Sequence, residues 1–236
     1  MPTPTLPGST PIRGISSMAT RQLLAELVTA FEQRSGMAAA IESVGGVDAA
    51  QRVRAGEAFD VVVLASDALH KLVAAGQVVA GSVVDLVHSG VAVAVKAGAP
   101  QPDIASEDAV RQAVLAARTI SYSTGPSGVA LAALFERWGI ADAVRERIVQ
   151  APPGVPVGTL VARGEVELGF QQLSELLHVQ GIAVLGPLPP EIQITTTFSA
   201  GVCVNAAQPE AARALIAFMA SSEAADAKRR QGMDPA

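Results

Sequence analysis

The chain has 236 residues and a net charge of −5, with 17 Lys or Arg against 22 Asp or Glu. No block of Lys or Arg supplies the long-range attraction to phosphate backbones that nucleic-acid binding needs, so nucleic acid is excluded as the expected partner. Half of the residues are hydrophobic but only 3% are aromatic, with 21 Gly and 15 Pro, which predicts a compact α/β protein cored by Ala, Val and Leu, in two lobes at this length.

Residues 1–11 form a tail rich in Pro and Thr. The tail has neither the basic start nor the apolar run of roughly 7–15 residues that marks a secretory signal, so a cytoplasmic location is expected, or a periplasmic one if a signal has been removed. A strand is predicted over 12–15, followed by the turn Ser16-Ser17-Met18-Ala19-Thr20. A helix follows over 21–34, with Leu23, Leu24, Leu27, Val28 and Phe31 at helical spacing, and ends near Gly36. A second strand over 38–42 leads to the turn Gly45-Gly46-Val47-Asp48 and a short helix over 49–55. The run 59–64, apolar except for Asp60, reads as a strand buried on both faces, as in parallel sheets. It ends in Ala65-Ser66-Asp67, which is expected to cap a helix near 69–75. Three successive strands thus finish in small polar turns, and open α/β sheets bind ligands outside the carboxyl ends of their strands.

Residues 91–95 are apolar and extended, and Gly98-Ala99-Pro100-Gln101-Pro102 breaks the chain. A second cycle then begins with a strand over 119–122, the turn Ser123-Thr124-Gly125-Pro126-Ser127-Gly128, and a helix over 129–138. Pro152-Pro153-Gly154-Val155-Pro156 leads into 157–163, and a strand over 166–170 ends in Gln171-Gln172. Residues 194–204 run extended and 209–220 form an amphipathic helix. The single cysteine, Cys203, lies in an apolar run, which excludes an internal disulfide and predicts a buried, inert thiol. No stretch is long and apolar enough to insert into a membrane.

The hydroxyl-rich turns carry the functional reading. The first N–H groups of a helix lack intrahelical partners and sit at the positive end of its dipole, so Ser, Thr and Gly placed there form a cradle for an oxyanion or carboxylate. Ordinary capping by Ser17 or Thr20 would also account for the first turn. The run of Ser, Thr and Gly over 121–128 exceeds what a cap needs. Gly45-Gly46 reads either as a tight turn or as a place where backbone approaches a ligand closely. Buried amides at Gln171 and Gln172 must find partners, from the ligand or from the protein. Asp48 either caps the following helix or serves as a base, and Asp67 reads as a cap. His70, His88 and His178 lack metal-ligand spacing, and no metal or other cofactor is expected.

Four segments carry a resemblance: Phe31-Glu32-Gln33-Arg34-Ser35-Gly36; Arg54-Ala55-Gly56-Glu57-Ala58-Phe59-Asp60-Val61-Val62 with Ser66-Asp67; Leu160-Val161-Ala162-Arg163-Gly164-Glu165 with Leu168-Gly169-Phe170; and Pro209-Glu210-Ala211-Ala212-Arg213-Ala214. In this order the chain from Ile12 onward resembles the periplasmic molybdate-binding proteins of the type II solute-binding superfamily. The resemblance implies a two-lobed α/β type II periplasmic-binding-protein fold, each lobe a mostly parallel sheet flanked by helices. It divides the chain into 12–90 with 201–236 and 91–200, with crossover strands near 91–95 and 201–204 and the ligand in the interlobe cleft.

The family's two molybdate-binding serines correspond here to Ala19 and Gly46, its cleft tyrosine to Gln172, and its backbone donors to Ser127 and Gly154. Two missing hydroxyls would leave a tetrahedral oxyanion short of partners, at roughly 1–3 kcal/mol each. A carboxylate is therefore expected in place of molybdate. Candidate ligand-binding positions are Ser16, Ser17, Ala19, Thr20, Gly45, Gly46, Val47, Ser66, Ser123, Thr124, Ser127, Gly128, Gly154, Gln171 and Gln172. Two functions follow: binding of a small anion, with a transporter or sensor as a possible partner, or, because an aconitate isomerase is related to the same family, a cytosolic isomerase of unsaturated di- or tricarboxylates. The second would move a proton, with Asp48 as the base and Arg21 or Arg52 as the basic residue facing the carboxylates.

Overall fold

A computed structural model of the chain describes residues 10–151 and 155–236. The chain changes over twice between two compact units, inside two long strands. One unit comprises the described residues up to His88 with Thr197–Ala236, and the other Ser89–Thr196.

The first unit opens with β1 (Ile12–Ser17), which runs two residues beyond the expected strand because Ser16 and Ser17 pair with Ser43 and Val44 of β2 (Ala39–Val44). A 3-10 turn over Met18–Thr20 leads into α1 (Arg21–Ser35), which buries Leu23, Leu24, Leu27 and Phe31 and ends at Gly36 in the left-handed conformation. α2 (Gly46–Arg54) follows β2, and β3 (Val61–Ala65) leads directly into α3 (Ser66–Ala74). β2 and β3 flank β1, both parallel to it. All five residues of β3 are buried, because its two faces are covered by different helices. Val61 and Val63 pack with α1, while Val62 and Leu64 pack with Ala49, Val53, Leu69 and Leu72 of α2 and α3. Alternation in a strand with both faces covered yields the unbroken apolar run visible in the sequence.

β4 (Val84–Lys96) carries the chain into the second unit, which adds α4 (Glu107–Ala116), β5 (Ile120–Tyr122), α5 (Pro126–Arg137), the short α6 (Ala141–Val144) and α7 (Val157–Arg163). β6 (Leu168–Gln172), α8 (Leu173–Leu176) and β7 (Ile182–Pro187) follow. β6 pairs parallel with β5 and antiparallel with β4, and β7 pairs antiparallel with β4. Val91, Val93 and Val95 pack on α4 and α5, whereas Ala92 and Ala94 face Leu176 of α8. β8 (Thr195–Val202) returns to the first unit and pairs antiparallel with β3. α9 (Pro209–Ala220), α10 (Ala225–Arg230) and β9 (Met233–Pro235) complete it.

Several boundaries differ from expectation for identifiable reasons. Gly46, Val47 and Asp48 form the first turn of α2, and Pro126, Ser127 and Gly128 that of α5. Glycine and proline mark turns in a sequence, but proline fits the first helical position, where its missing N–H is not needed. Asp48, Ser66 and Asp67 are not N-caps: the cap positions are Gly45 and Ala65, and the two aspartates stand in the first turn, where their charge complements the helix dipole. Gln171 and Gln172 lie inside β6, not after it. α4, whose short apolar stripe of Val110, Ala113 and Val114 follows the Pro-containing break, and β7, which contains Gly and Pro, have no counterpart among the expected elements. α4 is capped by Ser106, whose Oγ accepts from the Ala109 N–H at 3.2 Å.

Candidate functional site

In the first unit, the parallel registry of β1, β2 and β3 brings their carboxyl ends, and the starts of the 3-10 turn, α2 and α3, to one edge. Ser16 is fully buried and its hydroxyl lies 2.8 Å from Ser43 Oγ, so it is satisfied within the sheet. Ser17 Oγ accepts from Ala19 N–H at 3.4 Å and caps the 3-10 turn. Thr20 makes no capping bond, and its Oγ1 donates to Ser17 O at 3.0 Å. Ala19 packs into the core beside Leu23 and Leu24. A Cβ placed on Gly46 would lie 3.5 Å from Ser17 Oγ, so the glycine leaves room beside that hydroxyl at the uncapped start of α2. Val47, in the same turn, is 56% exposed. Ser66 Oγ lies 3.3 Å from His70 Nδ1. Asp48 is exposed at this edge. Arg52 is bound to Glu42 and Glu57, its Nε 2.7 Å from Glu57, so its charge is already paired.

In the second unit, β5 and β6 run parallel and likewise end at a common edge. Ser123 Oγ lies 3.0 Å from Ser127 Oγ across the turn into α5, and Thr124 is exposed. Gly128 is obligatory, since a Cβ there would fall 1.5 Å from Ser123 O. Ser121 is fully buried on the neighbouring strand, and its Oγ has no hydrogen-bond partner among the described residues. Gly154 lies outside the described residues.

Both glutamines are engaged within this unit. Gln171 Oε1 accepts from the Gly158 N–H at 3.1 Å, and Nε2 donates to Glu175 Oε1 at 2.9 Å. With the Gln172 amide oriented so that each atom faces a complementary group, its nitrogen donates to Ser89 Oγ at 2.7 Å and its oxygen accepts from Thr196 Oγ1 at 2.9 Å. Burial pushes the Glu175 carboxyl up to about 7, against the smaller opposing effect of the hydrogen bond from Gln171. Glu175 is absent from the residues expected on sequence grounds. The signal was present: a buried amide needs partners, and Glu175 is the acid four residues beyond Gln171.

Cys203 is 2% exposed, and burial, reinforced by the charge of Asp60, pushes its thiol up to about 12. His70 Nδ1 lies 2.9 Å from Ser66 O and His88 Nδ1 3.0 Å from Thr197 Oγ1. Among the described residues no group of three or more His, Cys, Asp or Glu is arranged to hold a metal, and no helix is long and apolar enough to cross a membrane.

Two α/β units connected through two strands, with helices starting at the carboxyl ends of parallel strands, define a type II periplasmic-binding fold. Solved structures agree. The periplasmic molybdate-binding protein of Azotobacter vinelandii superposes with a TM-score of 0.78 at 20% identity, covering 94% of this chain and 98% of that one. The sulfate-binding protein of Mycobacterium tuberculosis superposes with a TM-score of 0.78 at 17% identity, covering 96% of this chain and 87% of that one. Residues 12–234 match the bacterial extracellular solute-binding protein family, and the chain belongs to that family. It is also 40% identical over 227 residues to an aconitate isomerase from Pseudomonas sp., covering 94% of this chain and 86% of that protein.

Proposed function

We propose that this protein binds a small carboxylate anion at the polar turns that end its parallel strands, and isomerises an unsaturated tricarboxylate of the aconitate type. The observation that carries the reading is the 40% identity to the Pseudomonas aconitate isomerase over nearly the whole chain. The site chemistry is compatible. The start of α2 beside Ser17 and the start of α5 beside Ser123 and Ser127 present hydroxyls and helix-end N–H groups suited to carboxylates. Ala19 and Gly46 contribute no hydroxyl, which disfavours a tetrahedral oxyanion.

The reaction class needs a proton removed beside carboxylates and returned one double bond away. Helix-end donors stabilise the negative charge that develops on carboxylate oxygens as the proton leaves. A second reading, binding without turnover in the service of a transporter or sensor, is favoured by the match of residues 12–234 to the solute-binding family. A thermal-shift screen of cis-aconitate, trans-aconitate, molybdate and tungstate, followed by an assay of isomer ratio, tests both. Ligand at about a hundred times its dissociation constant stabilises by roughly 2.7 kcal/mol. Stabilisation by the aconitates with a change of isomer ratio is the expected result. Stabilisation by molybdate or tungstate alone would overturn the carboxylate reading, and stabilisation by aconitate with a fixed isomer ratio would leave the second reading standing.

A further inference from the structure

The second unit holds a carboxyl group that the binding of an anion does not require. Glu175 stands on α8, immediately past the carboxyl end of β6, the same edge at which β5 opens into the Ser123–Gly128 turn. Its position is fixed through a chain of obligatory hydrogen-bond roles. The Gly158 N–H can only donate, so it selects Gln171 Oε1. The remaining amide Nε2 can only donate, and it faces Glu175 Oε1. Gly158 also lets α7 and α8 approach closely, since a Cβ there would lie 3.1 Å from both Leu176 Cδ2 and Val179 Cγ2. Gly158 thereby sets how closely α7 approaches the chain that carries Glu175. The amide engages Oε1 and leaves the second oxygen, Oε2, outside that bond.

Burial favours the neutral acid and outweighs the amide donor, which favours the anion. α8 packs on β6 and β7, neither of which has an ionisable side chain, and the segment that leaves α8 carries His178. α7, which meets α8 through Gly158, carries one ionisable residue, Arg163, at its last position and 3.9 Å from Glu165. A group titrating near neutral pH is what proton transfer at that pH requires. Asp48, by contrast, is exposed in the first turn of α2.

We propose that Glu175 is the acid–base group of the isomerisation, a role that rests on the isomerase reading above. Its Oε2 takes a proton from the methylene carbon of the bound acid: the C–H bond breaks, an O–H bond forms, and the electron pair spreads over the adjacent C=C bond and carboxylates. The same oxygen then returns the proton to the former vinylic carbon, and the double bond re-forms one carbon away with the carboxylates rearranged. Atoms and electrons balance without an oxidant, reductant or co-reactant. Gln171 is a positioning residue in this scheme, holding Oε1 so that Oε2 is presented.

The test compares wild type, Glu175→Gln and Glu175→Asp as full chains, with trans-aconitate as probe, measuring kcat against pH by isomer ratio and affinity by thermal shift. Wild type is expected to lose activity as the pH falls through about 7. Glu175→Gln is expected to lose about 100-fold or more in kcat, with affinity changed less than about threefold. Glu175→Asp, which draws the carboxyl back by one methylene, is expected to retain partial activity with its acid limb displaced, and it decides the matter if the glutamine variant fails to fold. An active wild type with Glu175→Gln within about fivefold of its kcat, or with Glu175→Asp showing an undisplaced acid limb, would overturn the role of Glu175 alone. A wild type that binds and leaves the isomer ratio unchanged would overturn the isomerase reading and this role together.

Discussion

Glu175 and Cys203 show how burial decides chemistry one side chain at a time. The Glu175 carboxyl is raised from an ordinary 4.5 to about 7, so its contribution to stability is fully present below 4.5 and is lost as the pH rises through 7, where the folded protein must keep a desolvated anion. Glu175→Gln is accordingly predicted to be more stable than wild type at pH 8, by roughly 1–3 kcal/mol, with the difference closing toward pH 4. Urea unfolding at the two pH values measures it, and a gain in stability coupled to a loss of turnover is the pattern of a functional residue held at a cost. Cys203 is predicted to resist a maleimide or a disulfide reagent at pH 8 while the chain is folded and to react fully in denaturant, because its thiol is buried and raised to about 12. Rapid labelling of the native protein would contradict that. At this scale the sequence was only partly legible. Ser16 and Ser66 look free in the sequence, yet Ser16 is bonded to a residue on the neighbouring strand and Ser66 to a histidine one helical turn on. Which hydroxyls remain for a ligand depends on strand registry, which a strand's own residues do not state.

At the scale of elements, the strands and their following helices were readable because apolar runs and helical spacing coincide with what is buried. The run 59–64 is visible because both faces of β3 are covered, and α1 because Leu23, Leu24, Leu27 and Phe31 form one stripe. The starts of α2 and α5 were not, since Gly46 and Pro126 punctuate a sequence as turns even where they open helices. The turn between β5 and α5 yields a sharp prediction. Gly128→Ala places a Cβ where Ser123 O now stands, so the turn must open. A loss of about 1–3 kcal/mol in stability and a failure to bind the ligand are expected, read by thermal melting with and without trans-aconitate. Unchanged binding would show that the Ser123–Gly128 turn does not touch the ligand.

At the scale of the whole molecule, the family follows from the order of segments along the chain, and the two units each carry a strand edge with hydroxyls at a helix start. Ser123→Ala, in the turn that opens α5, is predicted to weaken binding of the carboxylate by about tenfold, equivalent to about 1.4 kcal/mol. Unchanged affinity in isothermal titration would place the ligand away from that turn. The ligand itself was the least legible feature, because the departures at Ala19 and Gly46 say which groups are missing and not which substrate replaces them. The measurement that bears most directly on the proposed activity is proton NMR of the protein incubated separately with pure cis-aconitate and pure trans-aconitate. Convergence of both samples on the same isomer mixture is the predicted result; saturable binding with both spectra unchanged would contradict it.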